Sequence, residues 1–170
     1  MLELLLPFLL LFLFIIALLI IWRFNARKYI SSGTVASAYD AWTQDKLLER
    51  LWGEHIHLGY YPSEKKDIDF RKAKINFVHE LVNWSGLDKL PKGSRILDVG
   101  CGIGGSSRIL AKYYGFNVTG ISISPAQVKR ARQLTPSRLN CNFLVMDALD
   151  LQFEDGSFDA VWSVEAGAHM

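Results

Sequence analysis

"RILDVGCGIGGSSRIL", residues Arg95–Leu110, decides the fold. The apolar run Arg95–Val99 reads as a buried strand, and the stretch from Gly104 to Tyr114 as a helix stopped by Gly115. Between them, Gly100, Gly102 and Gly105 satisfy G-x-G-x-x-G, a pattern that lets bare backbone approach a ligand at a helix N-terminus. One residue argues against a dinucleotide. Asp98 stands two positions before the first glycine, where its charge would repel a pyrophosphate. A second argument lies downstream. A dinucleotide site holds its ribose hydroxyls with an acid about 20 residues further on, and the sequence there is "TGISIS", Thr119–Ser124. A ligand that lacks phosphate and carries positive charge suits this turn better. S-adenosylmethionine, with a sulfonium and an α-ammonium, has that chemistry.

The chain then alternates. Asn117–Ile123 reads as the second strand. Ser124-Pro125 opens a helix with serine as cap and proline at its first position, and Val128, Ala131 and Leu134 give that helix an apolar stripe up to Thr135-Pro136. Asn142–Met146 and Phe158–Ser163, the latter after the turn at Asp155-Gly156, are the third and fourth strands. Strand–helix alternation predicts an α/β domain over residues 93–170, Rossmann-like, with an open and mostly parallel sheet and helices on both faces. Domains of this kind usually have more strands, so a sheet truncated after the fourth strand is expected.

Upstream, residues 34–92 read as a helical region. Val35, Tyr39, Trp42, Leu47, Leu48 and Leu51 share a broad apolar face that Gly53 ends, and Phe70, Phe77, Val78 and Leu81 mark a second helix from about Asp67 to Trp84. Between them, "EHIHLGYYP", Glu54–Pro62, is aromatic and aperiodic, so it reads as a loop. His55 and His57 in that loop lack the companions a metal site needs. Residues 25–33 form a polar linker.

Residues 1–24 differ from the rest. The nineteen residues from Leu4 to Trp22 carry no charge, close to the roughly 20 apolar residues that cross a bilayer as a helix. Arg23, Arg27 and Lys28 follow at once, against only Glu3 before. This bias places the C-terminal side in the cytoplasm or stroma. A cleaved signal peptide fits poorly, since no basic segment precedes the run and no A-x-A site follows it. A single-pass transmembrane anchor in a bilayer is therefore expected. Half of the 170 residues are hydrophobic and the net charge is +2, which gives nucleic acid no basic surface to bind. The two cysteines, Cys101 and Cys141, have no metal spacing and read as reduced thiols.

"LDVGCGIGGSSRILAKYYGFNVTGISISPAQVKRA", "WGEHIHLGYY" and "DGSFDAVWSVEAGAHM" resemble the S-adenosylmethionine-dependent methyltransferases of the tocopherol and sterol branch. The resemblance implies a C-methyltransferase acting on a lipid-soluble prenyl or phytyl benzoquinol in tocopherol and plastoquinone synthesis, in a thylakoid or plasma membrane. A γ-tocopherol or sterol C-methyltransferase, or an inactive anchored cofactor-binding module, remain as alternatives. It further implies that Asp98, Gly100, Gly102 and Gly104 shape the first cofactor loop, and that Ser122 and Gln127 take the ribose in place of the missing acid. Ser124-x-x-Gln127 also reads as a capping box, which leaves two roles open for Gln127. Asp147 and Ala148 would meet the adenine, although Asp147 also suits a plain strand-end turn. Ser163, Glu165 and His169 fall near the transferred methyl, with Glu165 or His169 as the base; related enzymes carry an acid where this chain has Ala168. Tyr60 and its loop would lie over the cofactor as a lid or pack as aromatic core.

Overall fold

The structure is a computed structural model that describes residues 2–25, 32–62 and 67–167. It divides into two compact units, Met1–Ser31 and Ser32–Met170.

The first unit is one helix, α1, Leu2–Asn25, with Pro7 near its start. Its described side chains from Leu10 to Ile21 are mostly exposed, with Leu11, Phe14 and Leu18 at 56, 61 and 49%. Among the described residues, no helix is long and apolar enough to cross a membrane. The expected transmembrane anchor is thus not found there, and several side chains of the uncharged run lie outside the described residues.

The second unit opens with α2, Ser32–Gln44, and α3, Leu47–Trp52. The sequence reads as one helix here, and the structure breaks it. Lys46 adopts a left-handed φ of 55°, and the Asp45 carboxylate accepts from the Leu47 N–H at 2.8 Å, so a local side-chain bond restarts the chain as a new helix. Next comes α4, Phe70–Ser85, capped by the Asp69 carboxylate, which accepts from the Arg71 and Lys72 amides. The predicted start at Asp67 was early because Asp69, not an earlier residue, serves as cap.

The sheet follows: β1, Arg95–Val99; α5, Gly105–Tyr114; β2, Asn117–Ser122; α6, Pro125–Leu134; β3, Cys141–Val145; and β4, Ala160–Trp162. Its order is β3-β2-β1-β4 and every neighbouring pair is parallel. The chain therefore steps outward from β1 to β3 and returns to the other side of β1. That reversal opens a crevice at the carboxyl ends of β1 and β4, the usual ligand position in such sheets. Asp98 pairs with Gly120 on one side and Trp162 on the other, at the floor of that crevice. Val78 and Val82 of α4 pack with Ile96, Leu110, Phe116 and Val118 in the main core, while Val128 and Ala131 of α6 pack with Phe143 and Cys101. The expected α/β fold with a parallel sheet is present. The fourth strand is shorter than its apolar run, because the Ser163 hydroxyl turns to donate to the Val99 carbonyl at 3.2 Å.

Candidate functional site

A cleft of about 180 Å³ lies over the carboxyl ends of β1, β2 and β4. The sheet contributes Asp98, Gly100, Gly102, Ser122, Gln127, Asp147, Ala148 and Glu165, which the sequence places at a site. The helical region adds Val35, Tyr39 and the loop Glu54–His57 from the other side. Among the described residues, four carboxylates line the cleft (Glu54, Asp98, Asp147, Glu165) and no lysine or arginine does.

Asp98 is the penultimate residue of β1 and is 2% exposed. The Ser107 hydroxyl donates to its Oδ2 at 2.5 Å. Burial raises its carboxyl to about 6, and the Ser107 bonds oppose that shift only in part. The turn beyond it is held by the Ile121 carbonyl, which accepts from both the Gly100 and Cys101 amides. Gly102 has a φ of +56°, and a Cβ built there would meet no protein atom within 4 Å.

Gly104 does not line the cleft. It caps α5 with a φ of 80°, and a Cβ there would lie 2.7 Å from the Phe143 ring. Its expected place is taken by Gly105, where a Cβ would meet the Glu54 carbonyl at 2.5 Å and the His55 ring at 2.8 Å. The glycine pair therefore serves two approaches, one by the core and one by the loop.

Ser122, Ser124 and Gln127 form a closed network. The Ser122 hydroxyl donates to Gln127 Oε1 at 2.7 Å, and the Ser124 amide donates to Ser122 Oγ. Ser124 Oγ accepts from the Gln127 amide N–H, which is the serine half of a capping box. The reciprocal half is absent, since the Gln127 carbonyl oxygen turns to Ser122 instead. With that oxygen engaged, the amide NH2 is what Gln127 has to offer a ligand. Asp147 serves both readings: its Oδ1 accepts from the Leu149 amide in a strand-end turn, and it lines the cleft.

The loop residues were the least legible. The His57 Nδ1 lies 2.7 Å from the Leu58 carbonyl, so it carries the proton and donates; His57 Nε2 then accepts from His55 Nδ1 at 3.1 Å. Both rings are thus neutral. Burial, then the fields of His57, Arg108 and Lys74, lower His55 to about 3. Burial also lowers His57, against the Leu58 carbonyl and the Glu165 charge. Beneath the loop, Lys74 is buried and donates from Nζ to the Trp52 and His55 carbonyls. Above it, the Leu58 amide donates to Glu165 Oε1 at 3.1 Å. Glu165 has a left-handed φ of 52°, a conformation that a non-glycine residue adopts at some cost and that concentrates at functional sites. Arg108 pairs with Glu54 at 2.6 Å at the rim.

Besides Gly104, two sequence-predicted residues fall elsewhere. Ser163 bonds back to β1, and Tyr60 runs along α4, its amide donating to the Ala73 carbonyl; neither lines the cleft. His169, with Ala168, lies outside the described residues. Trp162, which sequence reasoning missed, lines the cleft, and its buried Nε1 has no hydrogen-bond partner among the described residues.

Residues 96–170 match the family model described as a methyltransferase domain. The chain is 61% identical over 150 residues to the 2-methyl-6-phytyl-1,4-hydroquinone methyltransferase of Synechocystis sp., covering 88% of this chain and 47% of that protein. It is 42% identical over 134 residues to the chloroplastic tocopherol O-methyltransferase of Arabidopsis thaliana, covering 73% and 38%. The chain spans about half the length, or less, of these curated relatives. Among solved structures, the [4+2]-cyclase SpnF aligns with a TM-score of 0.66 at 29% identity, over 78% of this chain and 48% of that one. The magnesium protoporphyrin IX methyltransferase of Synechocystis PCC 6803, solved with bound SAH, aligns with a TM-score of 0.60 at 26% identity, over 82% and 60%. The resemblance carried by the glycine turn and the loop is thereby borne out: residues 96–170 match a methyltransferase domain, and the chain is similar to the phytyl-hydroquinone and tocopherol methyltransferases.

Proposed function

We propose that the cleft binds S-adenosylmethionine and that the chain serves to methylate a ring carbon of a prenyl or phytyl benzoquinol. One observation carries the cofactor: the cleft is lined by carboxylates, with Asp98 buried beside a bare glycine turn, and by no lysine or arginine among the described residues. Such a lining disfavours phosphate and favours a ligand bearing cations. The residues fit the group. Gly102 leaves open space where a side chain would stand, Gln127 presents amide donors for ribose oxygens, and Asp147 with Ala148 closes the adenine end.

Bound there, the cofactor supplies an electrophilic methyl group on a sulfonium. The chain does the rest. Asp98 holds the cationic end. Glu165, fixed by the Leu58 amide, accepts the phenolic proton, which makes the ring carbon more nucleophilic. The neutral histidine loop closes the cleft against water and keeps carbon, methyl and sulfur in line. The substrate class is supported by the names of the similar proteins. A lipid tail also suits a chain whose uncharged run, Leu4–Trp22, lies in a helix with exposed apolar side chains from Leu10 to Ile21. We read that run as a membrane anchor with the α/β domain on the cytoplasmic or stromal side, by the positive charges that follow it.

One similar protein's name specifies methylation at oxygen, so the product decides. Labelled S-adenosylmethionine is supplied to the protein with 2-methyl-6-phytyl-1,4-hydroquinone or γ-tocopherol. A new ring methyl, seen by NMR on the first substrate, is the expected result. A methyl ether refutes the carbon assignment, and no transfer from intact protein refutes the activity.

A further inference from the structure

We propose that Asp40, on α2, is a positioning residue of the cofactor site, so that seating of α2 and loading of the cleft are thermodynamically linked. The proposal rests on the cofactor reading above and deepens it.

Asp40 Oδ1 accepts from the Ser124 hydroxyl at 2.5 Å and from the Ala126 amide at 3.0 Å, 84 and 86 residues away. It therefore sits on the N-terminus of α6, where two orphan donors and the helix dipole favour a carboxylate. Its effect reaches the cleft through Ser124, which is fully buried. By accepting the Ser124 hydroxyl's hydrogen bond, Asp40 turns the Ser124 oxygen's lone pairs toward the backbone N–H of Gln127. The Ser124 amide in turn fixes Ser122 Oγ, and Ser122 fixes Gln127 Oε1. Asp40 thus pins the first turn of α6, the turn that carries Gln127, from the helical region, while Ser122 holds the Gln127 side-chain oxygen. Without Asp40 the Ser124 hydroxyl can rotate and the Ala126 amide loses its acceptor, so the turn that presents Gln127 to the cleft is no longer held from α2.

Tyr39, the neighbour of Asp40, and Val35, one turn before it, line the cleft itself. Glu49 on α3 grips the same helix α6 independently, through Arg130 at 2.6 and 2.8 Å. Whatever ligand tightens the Gln127 network must favour the seated α2, and a seated α2 must favour the ligand by the same factor.

Calorimetric titration of S-adenosylhomocysteine into the intact protein tests this. Asp40→Ala is expected to weaken binding by about tenfold or more, as for loss of a charge-assisted hydrogen bond. Asp40→Asn keeps Oδ1 as acceptor and restores binding to within about threefold of wild type. Glu49→Ala severs the other grip on α6 and leaves the network intact, so it also stays within about threefold. Without ligand, amide exchange at Ala126 and Gln127 quickens in Asp40→Ala and not in Glu49→Ala. If Asp40→Ala does not fold, Asp40→Glu moves the acceptor by one methylene and takes its place with the same expected loss. Wild-type affinity in the Asp40 variant, or equal losses in the Asp40 and Glu49 variants, overturns the proposal. A wild-type protein that takes up no S-adenosylhomocysteine overturns instead the cofactor reading on which it rests.

Discussion

Replacing Asp98 with asparagine should make the ligand-free protein more stable and its cofactor site worse. The carboxyl is 2% exposed and raised from 3.8 to about 6 by burial. That gap is worth about 3 kcal/mol against the ionised form in the fold. Asparagine removes the charge and keeps a neutral oxygen for the Ser107 hydroxyl, as the protonated acid does, and the Ser107 bonds to the ionised form are already counted in that gap. A gain of about 3 kcal/mol corresponds to a melting point higher by roughly 8 °C for a domain of this size. The pH dependence has a definite sign. An acid whose carboxyl is raised in the fold carries its full penalty above about pH 6, sheds it as pH falls toward 3.8, and has none below. The stabilisation of Asp98→Asn is therefore full at pH 7.5 and gone by about pH 4. Binding runs the other way. The variant should bind S-adenosylhomocysteine at least about tenfold more weakly at pH 7.5, since the ligand's ammonium loses its partner. Thermal melting at the two pH values, with calorimetry at the higher one, measures both. A variant that melts below wild type at pH 7.5, or binds undiminished, refutes the reasoning.

Gly102→Val puts a β-branched residue at a φ of +56° and fills the open space before the turn. It should lose cofactor binding by about a hundredfold or more while costing only about 1–3 kcal/mol of stability, read by calorimetry and melting. Gly105→Ala places a Cβ 2.5 Å from the Glu54 carbonyl. It should push the loop off α5, at a cost of about 1–3 kcal/mol, and speed amide exchange at Leu58. Acidification should unseat the same loop. His55 is lowered to about 3, so its contribution is full above its ordinary 6.5 and falls away as pH drops, by about 2 kcal/mol at pH 5. Exchange at Leu58 that stays unchanged between pH 7.5 and pH 5 would contradict this.

The strand–turn–helix unit was legible because its rules are local. Alternating apolar runs, the glycine pattern, the Ser124 cap and the terminal Gly115 each declare themselves within a few residues, and β1, α5, β2 and α6 fall close to their expected bounds. Asp98 was legible as a chemical misfit with phosphate. What the sequence hid is long-range. Nothing near Asp40 marks it as the cap of a helix that begins 85 residues later, and the Leu58 amide meets Glu165 across 107 residues. The break at Lys46 was hidden for a related reason: the apolar face continues through it, while the Asp45 side chain and the docking of Glu49 on Arg130 decide the geometry.

These long-range contacts share a chemical form that a reader of sequence can use. Asp40, Glu49 and Glu54 all lie in the helical region, and each meets a donor on the sheet domain: the α6 N-terminus, Arg130 and Arg108. None of those donors lines the cleft, whereas the carboxylates Asp98, Asp147 and Glu165 on the sheet side do. Two of these donors, Arg108 and Arg130, are cations drawn outward to hold the cover, which leaves the interior of the cleft negative. A cover fastened by cation-consuming latches and a cleft selective for cations follow from one distribution of charge. Reversing the Glu49–Arg130 pair as Glu49→Arg with Arg130→Glu should therefore keep the cover seated and cofactor affinity near wild type, whereas Glu49→Arg alone sets two guanidiniums together and should loosen it. Calorimetry and exchange in α2 separate the cases, and a double variant as impaired as the single one would show that the pair does more than fasten.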